Sequence, residues 1–307
     1  MTGPRRVLLL PERRRFRGQR LSAAAGRLLG RADSLPVAEP GERAQLRRHF
    51  HVQPAGWPMA ALLRQQAAAD SAGSCWLRAD PAFVRAEMMG ARLMAWSTLG
   101  ISEDEADDLM APLLPVFAES GFELSRTAPE QWYLRLPAET QIPEFSPPAD
   151  ALGGQLLAHL PEGEGGRRWR QLGNEAQILL HNHPLNARRA SHGLAPVNTL
   201  WFWGGGRLPE RVLAGCNTVL GADEELAALA AAAGVGTRPT DSGDVLVDLR
   251  REREWGKVET VLLEDAASML RRHGDVHLDF ADGSGFRLTR AQAWRWLRPA
   301  LRTLEPE

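Results

Sequence analysis

From residue 167 onward, short apolar runs take turns with segments of helical periodicity. Trp169, Leu172, Ala176, Leu179 and Leu180 recur at helical spacing, so 167–181 reads as an amphipathic helix, stopped by Pro184. "VNTLWFW" (197–203) reads as a central strand buried on both faces, with Leu200 and Phe202 on one side and Trp201 and Trp203 on the other. A strand within "RVLAGCNTVLG", a helix over "ADEELAALAAAAG", a strand "DVLVDL" and a helix over 254–272 follow. In "DVHLDFADGSGFRLT", Val276, Leu278 and Phe280 alternate with His277 and Asp279, and Asp-Gly supplies the turn of a hairpin. "RAQAWRWLRPALRTL" reads as a closing helix, with Trp294, Leu297 and Leu301 on one stripe and both Trp294 and Trp296 as core or interface anchors. This alternation predicts an α/β fold with a mostly parallel sheet covered by helices on both faces.

The N-terminal part is less regular. Val7–Leu10 reads as a first strand and "RLSAAAGRLLGR" as an amphipathic helix. "SCWLRADP" reads as a strand that Pro81 ends, and Ala82–Trp96 as a helix. Ser102 with Glu105 three residues on is a capping box, and Gly121 suits the end of that helical stretch. "QWYLRL" (131–136) is a short strand. The proline- and glycine-rich run 137–154 is the best linker, which divides the chain into an N-terminal α+β region, 1–147, and an α/β region, 148–307.

Charge and cysteine usage exclude several classes. The net charge of −1 gives the whole molecule no attraction for nucleic acid or an anionic membrane. Cys75 and Cys216 are too far apart for a metal knuckle, and a reducing compartment follows. No apolar run reaches the roughly 18–20 residues of a membrane span, and "VLLL" is too short for a secretory signal; a cytoplasmic protein is expected. Residues 5–31 hold nine arginines against Glu12 alone, which suits a nucleic-acid arm or a solvated basic helix face. Lys257 is the only lysine, so arginine richness is a bias of the whole chain, as in high-GC bacterial genomes, and the solvated face is the better reading.

The densest chemistry lies at 181–206, "HNHPLNARRASHGLAPVNTLWFWGGG". Ligands of open α/β sheets bind at the carboxyl ends of strands. Glycines there expose backbone amides, and arginine forks hold phosphate or carboxylate. The candidate site is therefore an anion pocket of Arg78, Asn186, Arg188, Arg189, Gly204, Gly205 and Gly206, with no catalytic residue and no metal ligand among them. The competing reading has the glycines merely turning the chain and the arginines facing water. On the pocket reading the loop 186–189 folds over the glycines and Asn198 ties that loop down. Of the adjacent pair Arg188 and Arg189, one points inward and the other meets solvent or an acid. His181 and His183 have no carboxylate or cysteine at ligand spacing and read as structural; His192 reads as exposed.

On these residues the chain resembles known proteins. "NEAQILLHNHPLNARRASHGLAPVNTLWFWGGGRLP", with "WLRADP", "QWYLRL" and the terminal "WRWLRP", resembles the RpfE-type bacterial regulatory proteins. The pattern His183, Pro184, Asn186, Arg188 or Arg189, Gly193, Pro196, Asn198, Trp203, Gly204 and Gly206 is also similar to archaeal-type cofactor-independent phosphoglycerate mutases. That likeness implies an alkaline-phosphatase-like α/β domain with a smaller inserted domain. It also implies an Asp-Gly after the first strand, a serine nucleophile and two metal ions held by Asp and His. Here the first strand runs into "LLLPERRRF", and "VLVDLRREREWGKVETV" keeps Gly256 and Lys257 but leaves Asp248 as the one candidate ligand. The expectation is a non-catalytic regulatory or partner-binding protein of phosphomutase-like descent that keeps an anion pocket and uses no cofactor. Its partner is an unknown protein or a small anionic ligand. The alternatives are a mutase- or phosphatase-like enzyme rebuilt around Asp80, His181 and Asp248, and a nucleic-acid-associated factor.

Overall fold

The computed structural model describes residues 3–88, 90–238 and 243–304. Two compact units divide the chain: one contains Met1–Val52 and Arg211–Glu307, the other Gln53–Glu210. The expected boundary at 147/148 is therefore corrected, because the second unit is a continuous stretch set between two sequence halves of the first. The proline-rich run 137–154 is packed within the second unit rather than linking domains. Trp201 Nε1 donates to the carbonyl of Ser146 at 3.0 Å, and Ile142 sits over Gly205.

The first unit is a six-stranded sheet in the order Thr218–Leu220, Val245–Asp248, Arg5–Leu10, Asp275–Phe280, Gly285–Leu288, Asp33–Ser34. The first four strands run parallel, and Gly285–Leu288 pairs antiparallel with both Asp275–Phe280 and Asp33–Ser34. The fold is mixed α/β, and its parallel sheet is here. Leu8 stands between Val247 and Leu278. Alternation sends Leu8, Leu10, Leu278 and Phe280 to one face, where helices Ala23–Arg31 and Trp255–Met269 bring Leu29, Trp255, Val258 and Leu262. Phe16 meets Trp255 edge to face at 5.5 Å. Asp279 turns to the opposite face, where Arg48 and His49 bond it.

The closing helix does not form. Arg290–Trp294 is a short 3-10 turn, a further turn covers 296–298, and residues 299–301 then lie against helix Ala23–Arg31 without regular secondary structure. Gly26 and Gly30 explain this. A Cβ at either would stand 2.3 or 2.2 Å from the carbonyl of Leu301 or Pro299, so the bare helix face admits a backbone. Leu301 donates to the carbonyl of Gly26 at 2.9 Å, a bond its N–H can make only outside a helix of its own. Trp294, Trp296 and Leu297 consequently stay 69–78% exposed instead of anchoring a core.

In the second unit the strand Cys75–Glu87 is central to an antiparallel sheet. Gln131–Leu136 and Gly90–Trp96 share one of its edges, and Thr199–Arg207 takes the other. Both expectations for 75–96 need correcting: the strand runs through Pro81, and 90–96 is a strand, not a helix (Met89 lies outside the described residues). One edge of the long strand changes partner between Arg78 and Ala82, so the proline's missing N–H falls where no ladder bond is needed there. Strand Thr199–Arg207 is not the central strand of a parallel sheet that was expected: among the described residues it pairs only with Cys75–Glu87, antiparallel, at the edge of this sheet. Leu200, Trp201, Phe202 and Trp203 are all buried, two on each face as expected. The capping box at Ser102 and Glu105 is present. Among the described residues no helix is long and apolar enough to cross a membrane.

Candidate functional site

The corner 181–206 is built as a packed junction. Helix Gly163–His181 ends three residues before Pro184, which starts a second helix, Leu185–Ser191, where a loop was expected. Its start uses His183, whose Nδ1 accepts from the Leu185 N–H at 3.3 Å, a capping role. Asn186 spends its amide inside the corner. It donates to the carbonyls of Leu180 and Val197 at 2.7 and 2.9 Å and accepts from the Val197 N–H at 2.8 Å. Asn198 ties down a different element, bonding the N–H and carbonyl of Val84 at 2.9 and 2.8 Å. His181 and His192 are exposed.

The two arginines part as adjacent residues of a helix must. Arg188 is exposed and pairs with Asp108 at 3.2 Å, a surface contact worth about 0–1 kcal/mol. Arg189 is buried and fully engaged, donating to Glu105 at 2.6 Å, the Leu99 carbonyl at 2.5 Å and the Ala195 carbonyl at 2.9 Å. Arg78 is held elsewhere, in a bidentate pair with Asp80 at 2.8 and 2.9 Å, with Tyr133 Oη at 3.1 Å. The guanidinium lies over the Tyr133 and Trp203 rings, 4.8 and 5.3 Å from their centroids. Asp80 also accepts from Trp203 Nε1 at 2.7 Å. Burial pushes its carboxyl up, while Arg78 and Trp203 pull it back.

The glycines face protein as well. A Cβ on Gly204 would meet Met59 and Ala60 at 3.1 Å, and one on Gly205 would meet Ile142 at 2.7 Å. Gly206 has φ +151°, and its Cβ would stand 2.7 Å from Pro58. Gly204 and Gly206 therefore let the start of helix Met59–Ala68 lie against the strand. The seven residues expected to form an anion pocket do not converge: Arg78 and Arg189 answer different carboxylates, and Arg188 faces outward. Gly206→Ala should cost about 1–3 kcal/mol through backbone strain and the clash with Pro58. Urea unfolding checks this, and an unchanged midpoint would show that Pro58 can yield.

In the first unit the carboxyl ends of the parallel strands carry a charged cluster. Arg250 is buried and grips Asp248 through Nε and Nη2 at 2.9 and 2.8 Å. Its Nη2 also meets Asp223 at 2.9 Å, and Glu42 lies 3.8 Å from Nη1. Asp248 accepts the Arg250 and Asp223 backbone N–H groups too, at 3.1 and 3.3 Å. Burial works against the Arg250 charge, but hydrogen bonding to Asp248 and the nearby Asp223 outweigh it and hold its pKa up. Arg251 pairs with Asp223 at 3.2 Å. Beside this, Asp279 binds Arg48 at 2.6 Å and His49 at 2.8 Å. The cluster was only half legible. Asp248 stood out as a strand-end carboxylate, but Arg250 two residues on, and Asp223 at the N-cap of helix Glu224–Ala232, were not joined to it.

The two metal ions implied by the mutase resemblance do not fit these residues. A metal site needs oxygens or imidazoles converging with free lone pairs. The Asp248 oxygens are taken by Arg250 and two backbone N–H groups. Among the described residues no group of three or more His, Cys, Asp or Glu could hold a metal ion.

Glu225, half-buried in the same cluster, adds a pH dependence. Burial pushes its carboxyl up from 4.5 to about 7, with Asp223 and Glu42 adding to the shift and Arg250 and Arg251 opposing it. A folded-state value above the unfolded one means the folded protein holds a proton through this window that the unfolded chain has lost. Stability is therefore lost as pH rises from about 4.5 through about 7. Wild type should weaken relative to Glu225→Gln between about pH 5 and pH 8. Urea midpoints of the two proteins that move in parallel would rule the effect out.

No family model matches the chain. A stretch of 63 residues is 46% identical to the probable 2,3-bisphosphoglycerate-independent phosphoglycerate mutase of Geobacter sulfurreducens, covering 20% of this chain and 16% of that protein. A stretch of 64 residues is 41% identical to the 2,3-bisphosphoglycerate-independent phosphoglycerate mutase of Methanothrix thermoacetophila, covering 21% and 16%. The chain thus matches only 16% of the length of either relative. Part of it is homologous to cofactor-independent phosphoglycerate mutases. Among solved structures, the cofactor-independent phosphoglycerate mutase of Thermoplasma acidophilum aligns over 94% of this chain and 90% of its own, at 14% identity and TM-score 0.40. A Pyrococcus horikoshii protein aligns over 94% and 88%, at 12% identity and TM-score 0.42.

Proposed function

We propose that this chain is a non-catalytic regulatory or partner-binding protein of the bacterial cytoplasm, descended from a phosphomutase-like, alkaline-phosphatase-like fold. The observation that carries the reading is Arg250. Its guanidinium takes up the oxygens of Asp248 and one of Asp223 at the carboxyl edge of the parallel sheet, where a metal-dependent phosphoryl transfer would need them free. The local sequence homology to mutases supports the descent, and the RpfE-type resemblance supports a regulatory role. A partner-binding role is supported by Trp294, Trp296 and Leu297, large apolar side chains exposed within a few residues of one another.

Elemental analysis and turnover test the proposal together. After incubation with manganese or zinc and dialysis, the protein should retain no stoichiometric metal, and 3-phosphoglycerate should not be converted. Stoichiometric metal together with turnover that a chelator abolishes would falsify it.

A further inference from the structure

The second unit contains a cavity of about 260 Å³ between helix Gly163–His181, strand Thr199–Arg207 and the turn Leu156–His159. Its walls are aromatic. Trp169, Trp201, Phe202 and Phe145 line it, and Trp169 meets Phe145 and Phe202 edge to face at 5.6 and 5.7 Å. These rings are buried, so the walls are set before any ligand arrives. The polar lining is uneven in charge: Arg170, His159, Asn174, Gln177 and Thr199 contribute, and no carboxylate does. Arg170 donates to the carbonyls of Pro161 and Gly163 and makes no ion pair among the described residues.

Gly173 is the informative residue. It lies inside the long helix, where glycine is less stable than alanine. Gly166 on the same helix is demanded by packing, since its Cβ would run 2.4 Å from the Pro161 carbonyl. Gly173 is not. A Cβ there would make only an ordinary 3.6 Å contact with the Phe202 ring, yet the position lines the cavity. Packing alone would accept a larger residue; open space in the cavity would not survive one.

We propose that this cavity binds a small apolar carboxylate, its ring or branched chain among Trp169, Trp201 and Phe202 and its charge toward Arg170. The size suits about ten heavy atoms in the apolar part, given that a cavity of about 150 Å³ holds benzene. An apolar body with one polar group is what aromatic-walled pockets recognise.

The probe is 2-naphthoate, with uncharged 2-naphthol as control, titrated into the full chain by calorimetry. Wild type should bind one equivalent of 2-naphthoate saturably. Gly173→Leu should abolish binding of both compounds. Gly173→Ala, which fits at ordinary contact distance, should keep the fold and weaken both, so the test stands even if the leucine variant unfolds. Arg170→Gln should weaken 2-naphthoate about tenfold or more and leave 2-naphthol unchanged. Three results would overturn the proposal: no saturable binding by wild type at millimolar ligand, wild-type affinity in folded Gly173 variants, or equal loss of both compounds in Arg170→Gln.

Discussion

Asp80→Asn should destabilise the protein by about 3–5 kcal/mol, the cost of breaking a buried ion pair by removing one partner. Asp80 is fully buried and closes a network: two bonds from Arg78, one from each of Trp203 and Trp96 through Nε1, and one from the Trp132 backbone N–H. Every one of those groups donates. An asparagine keeps the shape, removes the charge and turns an amide N–H₂ toward donors, so the buried Arg78 charge loses its carboxylate. The double variant Arg78→Met/Asp80→Leu should recover part of the loss, because removing both charges leaves no unpaired ion. Urea unfolding followed by tryptophan fluorescence measures both. A single-variant cost below about 1 kcal/mol, the range of exposed pairs, would show that water reaches the site.

The second large effect is expected at Arg250. Arg250→Met should cost about 3–5 kcal/mol near neutral pH, because Asp248, Asp223, Glu42 and Glu225 then face one another without the guanidinium that binds or neutralises them. Mutual repulsion among the carboxylates in the variant is greatest when all of them carry charge. The deficit relative to wild type should therefore grow as pH rises and shrink on acidification, when they bind protons. Denaturation midpoints at acidic and alkaline pH check the trend. A deficit independent of pH would mean that lost packing, not lost charge, sets the cost.

The sequence shows the fold best where one local rule acts alone. The capping box at Ser102 and Glu105, the hairpin of Asp275–Phe280 with Gly285–Leu288, and the two-faced burial of Leu200 to Trp203 all follow from spacing within a few residues. Failures cluster where a distant partner overrides that rule. Pro81 ends a strand only if a ladder bond is needed there, and it sits between two partners of one edge. Trp294, Leu297 and Leu301 would share a helical stripe, but Gly26 and Gly30 let the tail's backbone dock on the helix Ala23–Arg31 instead.

The candidate site divides in the same way. Arg78 and Asp80, two apart on one strand, point to the same face, so their pairing was open to reading. Arg189 meets Glu105 across 84 positions, which no local pattern reveals. An arginine beside glycines looks like an anion receptor until its own carboxylate is found. The same holds at Asp248, which resembled an orphaned metal ligand because Arg250 passed for one more member of an arginine-rich chain.

The placement of strand Arg5–Leu10 has a consequence for how the protein is made. Its two neighbours in the parallel sheet are Val245–Asp248 and Asp275–Phe280. During synthesis this first strand leaves the ribosome with both edges unsatisfied, and neither can be paired as in the finished sheet until the last quarter of the chain appears. The segment Gln53–Glu210 has its sheet partners within itself and can condense in the meantime. Folding of the first unit is therefore governed by contacts of very long sequence separation, the slow limit for chain closure. Until it is complete, Val7 to Leu10 form an apolar edge that any other unpaired strand could occupy, so the nascent chain is most open to misassociation before residue 245 emerges.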